Sequence, residues 1–299
     1  PFEAGHSVWF RNLNRGKKSV VLDLKTEAGK ARLWRLIERA DVFVEGFRPG
    51  VMQRLGFDYA AVSARNPRGM ALRFSLPDGS EHMMAMLHTP VFGVATPAAF
   101  LENLQAASPD PATGKPDPEK QKAFTAAHPE TKGQADFLKA NNPPASYAST
   151  PYYSLHAFRF ENRAKQARYL RWQFVPQDGT RFLDDAALSG TPPDFLEAAL
   201  KSRIAQGPIR WDMVVTFAEA GDTLTDPTVP WPATRKQQRV GTLELKSVSA
   251  QAGGDCEKIN FDPMVMSDGV AASDDPVLRF RSAAYAVSFG RRISDTPAK

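Results

Sequence analysis

Apolar positions along this chain follow two different periods. Over 26–40, Thr26 reads as the cap of a helix, EAGKARLWRLIERA, with Leu33, Leu36, Ile37 and Ala40 on one stripe. Short apolar runs flank it, SVVLDL (19–24) and DVFVEGF (41–47), and both read as strands. After the turn RPG, a helix passes through Met52 and Leu55, and another covers 58–67. This alternation predicts a short α/β (βαβα) segment ending near Arg68. Beyond it the character changes. GMALRFSLPDGSEHMMAML (69–87) predicts an antiparallel hairpin about PDGS, and TPAAFLENLQAA (96–107) predicts a helix. Residues 108–134, rich in Pro, Lys, Asp and Gly, read as a loop containing a short helix. Strands follow at 152–162, 167–179, 210–219 and 239–249, with a helix at 192–206. The expected fold class is α+β: an antiparallel, barrel-like domain with appended helices over 69–299, preceded by the α/β segment 1–68.

Composition narrows the functions available. Apolar content of 42% and charged content of 24% suit a globular protein, and 24 prolines point to long connections. No apolar run is long enough to cross a membrane. PFEAGHSVWF has neither the basic start nor the apolar core of a signal peptide, which leaves the compartment open. Cys256 is the single cysteine, so intrachain disulfides and multi-cysteine metal sites are excluded, and GDCEK has no His nearby for a thiol nucleophile. Residues 1–68 hold 13 Lys/Arg against 7 Asp/Glu, within a net charge of +5 for the chain. No aromatic–basic interleaving accompanies that excess, so nucleic acid is not an expected partner.

The most informative chemistry lies in DDPVLRFRSAAYAVSFGRR (274–292). Asp274 or Asp275 would cap a helix with Pro276 at its start, and Arg281, Tyr285 and Arg292 would share one face. An arginine one turn from a phenol stabilises a phenolate, and a phenolate is a hard ligand for ferric iron. The same spacing also suits an amphipathic helix with a buried Tyr and two solvated Arg.

Two resemblances decide between these. The linked motifs NRGKKSVVLDLKT, ADVFVEGFRPGV and RLGFDY (13–68) resemble the N-terminal portion of family III CoA-transferases, where this stretch belongs to a CoA-binding unit. Arg48 is retained, Gly46 stands where the family has Asn, and the family's Gly-Asp nucleophile segment has no counterpart. From about 68 to 292 the chain resembles the haem catalase family, on its catalase-related peroxidase branch. RGMALRFSLPDGS, TPVFGVATPAAF, PASYASTPYYSLHAFRFEN, RYLRWQFVPQDG, DPTVPWP, VGTLEL, INFDPMVMSDGVAASDDP and RFRSAAYAVSFGRR occur in order. The resemblance implies a catalase-like β-barrel holding haem b, with iron bound by Tyr285. It also implies Arg281 hydrogen-bonded to the phenolate and Arg292 on a haem propionate. The implied activity is peroxidase: an oxidoreductase that reduces hydrogen peroxide or organic peroxides with a small organic electron donor. A homo-oligomer is compatible with it, and intact relatives are often exported to the periplasm.

The resemblance also marks what is missing. The family's distal histidine, which moves a proton between the peroxide oxygens, lies on a first barrel strand that here is replaced by the CoA-transferase-like segment. Its propionate-binding arginine is lost with it, and an open sheet edge is expected. Five histidines remain, and His88 in MLHTPVF is the weak candidate for the distal role. Leu87 occupies the slot next to it where catalases carry asparagine. His156 reads as structural or at the haem-pocket margin, His128 as a loop residue, and Trp172, Trp211 and Trp231 as core or haem-edge packing. DGVAASDD lacks a calcium-loop pattern, and its acids read as helix caps. The alternatives are a CoA-binding or CoA-transferase-like protein, and a non-functional hybrid of two genes joined at Arg68 without a linker.

Overall fold

Gly79 sits at φ 84 in the turn Leu76–Ser80, a conformation open to glycine, and it closes the expected hairpin. Strands β3 (Gly69–Ser75) and β4 (Glu81–Leu87) pair antiparallel from Gly69↔Leu87 to Ser75↔Glu81. The computed structural model describes residues 2–3, 6–7, 22–23, 26, 32, 66–108, 116–190, 195–249 and 254–294. Most of the strands and helices expected before Arg68 lie outside these residues; Arg32, within the expected first helix, is helical. Among the described residues there, β1 (Phe2–Glu3) pairs with β2 (His6–Ser7). The chain divides into two units, Pro1–Tyr59 with Pro109–Pro116, and Ala60–Ser108 with Asp117–Lys299.

The larger unit is built on an antiparallel eight-stranded sheet. Its further strands are β5 (Tyr152–Tyr153), β6 (Phe158–Glu161), β7 (Ala167–Pro176), β8 (Ile209–Phe217), β9 (Gln237–Leu245) and β10 (Val270–Ala272). β7 is the hub. It pairs with β6 and β5 successively along one edge and with β8 along the other. Its alternation turns Leu170, Trp172 and Phe174 into the core and Arg171 and Gln173 to the opposite face. Met84, Met86, Tyr152, Phe158, Ile209, Trp211 and Val215 complete that core. Trp172 and Trp211 are therefore core residues, as read from sequence. The sheet stays open among the described residues, with β3 and β9 each paired along one side only.

Helices pack around it. α1 (Pro97–Ala106) starts at Thr96, whose hydroxyl accepts from Ala99 N at 3.1 Å. α2 (Pro118–Ala127) is capped by Asp117, and α3 (Lys132–Ala140) extends past the loop expected to end at 134. α4 (Asp185–Gly190) was not expected, whereas α5 (Phe195–Ile204) falls within the predicted 192–206. α6 (Pro276–Ser294) is the tyrosine helix, docked on the core through Leu278, which is fully buried. No helix among the described residues is long and apolar enough to cross a membrane.

One expected strand is broken. Residues 152–162 divide into β5 and β6 because Leu155 takes φ 63 and His156 N–H donates to Ser154 O at 2.7 Å, a γ-turn. The strain, of order 1–3 kcal/mol, is held by burial: Leu155 is almost fully enclosed. Ser154 secures the turn to β7, donating N–H to Trp172 O and accepting from Trp172 N at its hydroxyl.

Gly269, just before β10, has φ 79, and a Cβ there would lie 2.8 Å from Glu161 O. Gly269→Ala is expected to cost about 2–3 kcal/mol, against about 1 kcal/mol for Gly79→Ala, whose Cβ meets nothing. Urea unfolding of both variants checks the ranking.

Candidate haem site

The site is assembled by the start of α6. Asp275 is almost fully buried, and its Oδ1 accepts from Val277 N at 2.9 Å and Leu278 N at 3.2 Å, capping the helix. Its other oxygen, Oδ2, lies 2.7 Å from His156 Nδ1. His156 Nε2 lies 3.1 Å from an Arg281 guanidinium nitrogen, and the other terminal nitrogen of Arg281 donates to Tyr285 Oη at 2.7 Å. Arg281 also lies over the Tyr285 ring, 5.3 Å from its centroid. The four side chains form one chain of contacts: Asp275, His156, Arg281, Tyr285.

The protons follow from donor chemistry. A guanidinium only donates, so His156 Nε2 must offer its lone pair. Nδ1 therefore carries the hydrogen and donates to Asp275, and the imidazole is neutral. Burial pushes the His156 pKa below the ordinary 6.5, against an upward pull from the Asp275 hydrogen bond and charge. The order of charge along the chain is thus carboxylate, neutral imidazole, guanidinium, phenol oxygen.

Apolar surface surrounds this chain. Phe92 lies 6.3 Å from His156 and stacks on Phe100 of α1 at 6.0 Å. Phe100, Leu101 and Leu104 leave 41%, 57% and 53% of their surface exposed, and α1 packs against α6. A half-buried phenol oxygen carrying a hydrogen-bond donor, beside an apolar face left to solvent, suits a flat apolar macrocycle with an iron at its centre. Among the described residues no group of three or more His, Cys, Asp or Glu could hold a metal ion. Haem therefore fits the residues present.

Arg292 lies on α6, and its side chain is outside the description. His88 follows β4, is buried, and accepts from Arg68 N at Nδ1, 2.8 Å away. Its ring meets Phe137 edge-on at 5.8 Å, and burial lowers its pKa to about 4. His82 is also held low by burial and accepts from Ser267 N. The His128 pKa is raised by the hydrogen bond its ring donates to Glu102 and by Glu130, and the ring links α1 to the turn before α3. Cys256 is exposed. On the other face of β7, Arg171 donates to Val229 O and Asp226 O and lies 4.6 Å over Trp231, fixing the DPTVPWP loop. Burial brings the Arg171 pKa down to about 10.

Sequence reading placed Arg281 and Tyr285 together and offered Asp274 or Asp275 as the cap, a role the structure gives to Asp275. It missed that Asp275 and His156 complete the same chain. No local signal joins the two, which stand 119 positions apart and meet only in the tertiary structure.

Asp275→Ala removes both capping bonds and leaves the His156 N–H without an acceptor; a loss of about 2–4 kcal/mol is expected in chemical denaturation. Asp275→Asn, which keeps a capping oxygen, should lose less. Because His88 and His156 are held neutral, the unfolded chain binds more protons below 6.5. Stability is complete above that value and is lost as pH falls toward about 4, the value for His88. Thermal melts across this window should show the decline, with a shallower slope in His88→Leu.

Comparisons with known proteins agree with the geometry. Residues 52–296 match the catalase family, and residues 1–74 match CoA-transferase family III. A catalase-related peroxidase from Synechococcus elongatus is 53% identical over 230 residues, 77% of this chain and 68% of that protein. Another, from Mycolicibacterium paratuberculosis, is 37% identical over 74% of this chain and 69% of that one. An acetyl-CoA:oxalate CoA-transferase from Acetobacter aceti is 39% identical over 92 residues, 31% of this chain and 23% of that one. Among solved structures, a fungal catalase superposes with a TM-score of 0.70 at 24% identity, covering 77% of this chain and 48% of its own. Catalase A from Saccharomyces cerevisiae gives 0.69 at 23% identity, covering 77% and 50%. The chain thus spans about half the length of the solved catalases, and it belongs to the catalase family.

Proposed function

We propose that this protein is a haem-dependent peroxidase of the catalase-related type, reducing hydrogen peroxide or organic peroxides with a small organic electron donor. The observation that carries the reading is the 2.7 Å hydrogen bond from Arg281 to Tyr285 Oη, anchored through His156 to the buried Asp275. When bound, haem b would supply the iron at which the peroxide O–O bond is cleaved. The chain's own residues supply the proximal half. Tyr285 presents the phenol oxygen as the iron ligand. Arg281 orients that oxygen and favours negative charge on it. His156 fixes the guanidinium in the plane that lets it reach the phenol, and Asp275 fixes His156. Phe92, Phe100 and Leu104 would exclude water from the macrocycle, and Arg292, farther along α6, would meet a propionate as the resemblance implies.

Proton movement on the peroxide side falls to none of these residues. His88 is engaged at Nδ1 by a backbone N–H, so its Nε2 is a donor and not a base in this arrangement. A slow peroxidase with little catalase turnover is therefore the activity this chain supports. The CoA-transferase reading is not favoured, because the matched segment is a quarter of the chain and every member of the Tyr285 constellation lies in the catalase-matched part.

Titration with hemin tests the assignment. The wild type should give a ferric high-spin spectrum with charge-transfer bands, and Tyr285→Phe should lose those bands and bind at least roughly tenfold more weakly. Arg281→Leu should retain haem with a shifted spectrum. Equal, weak uptake by wild type and Tyr285→Phe would sink the reading. A rise in melting temperature with CoA that Arg48→Ala removes would instead support the CoA reading.

A further inference from the structure

The eight-stranded sheet has margins of unequal character. β10 is three residues long, and β9 is interrupted by a bulge opposite Met213 and Val214 and carries Arg239 and Glu244. Such features blunt an edge. β3 has neither protection: it is seven residues, pairs regularly with β4, and holds a single charge, Arg73. Met70, Leu72 and Phe74 pack against the core yet stay half-buried, as they would where a neighbouring strand is lacking.

The backbone on this edge points outward in a defined phase. Leu76 N–H donates to Ser80 O and His88 N–H donates to Arg68 O, which sets the even-numbered residues of β3 as the pairs hydrogen-bonded to β4. The N–H and C=O groups of Gly69, Ala71, Arg73 and Ser75 therefore face away from β4. Among the described residues none of them finds a partner there.

We propose that β3 pairs antiparallel with β3 of a second copy of this chain, about a twofold axis at Leu72, joining two sheets into one. That register sets Ala71 opposite Arg73 and Gly69 opposite Ser75, the four residues whose backbone groups face outward. It also sets Met70 opposite Phe74 and Leu72 opposite itself, so the half-buried apolar side chains cover one another. Centring on Arg73 would oppose two like charges, and centring on Ala71 would leave Phe74 and Ser75 unpaired. A twofold pair is closed and uses one edge per copy, so assembly stops at the dimer. The proposal stands apart from the haem reading, since no β3 residue belongs to the Tyr285 constellation.

Analytical ultracentrifugation of the full chain over a concentration series tests it, with melting temperature measured in parallel. The wild type should dimerise. Ala71→Pro removes an N–H that does not bond β4 and should give a monomer of similar melting temperature. Ala71→Lys faces Arg73 of the other copy and should weaken the dimer roughly tenfold, whereas Ala71→Glu should tighten it. In a Cys256→Ser background, Leu72→Cys should cross-link to a dimer under mild oxidation and Met70→Cys should not. A monomeric wild type, a dimer indifferent to the sign of the charge at 71, or an open series of larger species would each overturn the proposal.

Discussion

One buried carboxylate holds the candidate site together. Asp275 satisfies two free N–H groups at the start of α6 with one oxygen and the His156 ring with the other. Helix termini and buried histidines both need partners, and here a single side chain serves both. The result couples two facts that are usually separate. Where α6 begins also decides which nitrogen of His156 carries the proton. That nitrogen in turn leaves Nε2 free to receive Arg281, and Arg281 can then reach Tyr285 without losing its own support. A guanidinium with two terminal nitrogens in fixed directions suits this task, because it can bridge an imidazole and a phenol at once.

The sheet contributes rigidity to the same constellation. β7 lies at its centre, and the γ-turn at Leu155 is bound to it through Ser154. Without that turn His156 would follow the alternation of an unbroken strand. The strained residue therefore re-aims one side chain, a recurring use of stored backbone strain near functional groups. The opposite face of β7 is ordered by different means, with Arg171 held by loop carbonyls and the face of Trp231. The two polar systems feel one another: the Asp275 charge works against the fall in the Arg171 pKa, and the Arg171 charge adds to the fall in that of His156.

Much of this was visible in the sequence where local chemistry decides structure. PDGS announces its hairpin because Gly79 is free to adopt φ 84, TPAAFLENLQAA announces α1, and the Arg281–Tyr285 spacing is one helical turn. Failures came where structure is decided at a distance. Nothing local marks Leu155 as a turn, since no Gly or Pro stands there and its aromatic neighbours favour a continuous strand. α3 is polar and short, so its residues looked like loop, although it packs over His88 through Phe137. The pairing of His156 with Asp275 has no local signature at all.

The distance along the chain between those two residues has a consequence for assembly. They are 119 positions apart, and His156 and Arg281 are 125 apart. Neither contact can form until the segment carrying α6 has been synthesised, long after the one carrying His156. Until then Arg281, one turn from Tyr285, lacks the His156 and Asp275 contacts that hold its guanidinium in place. On the proposed haem reading, cofactor capture would thus report that these distant segments have come together.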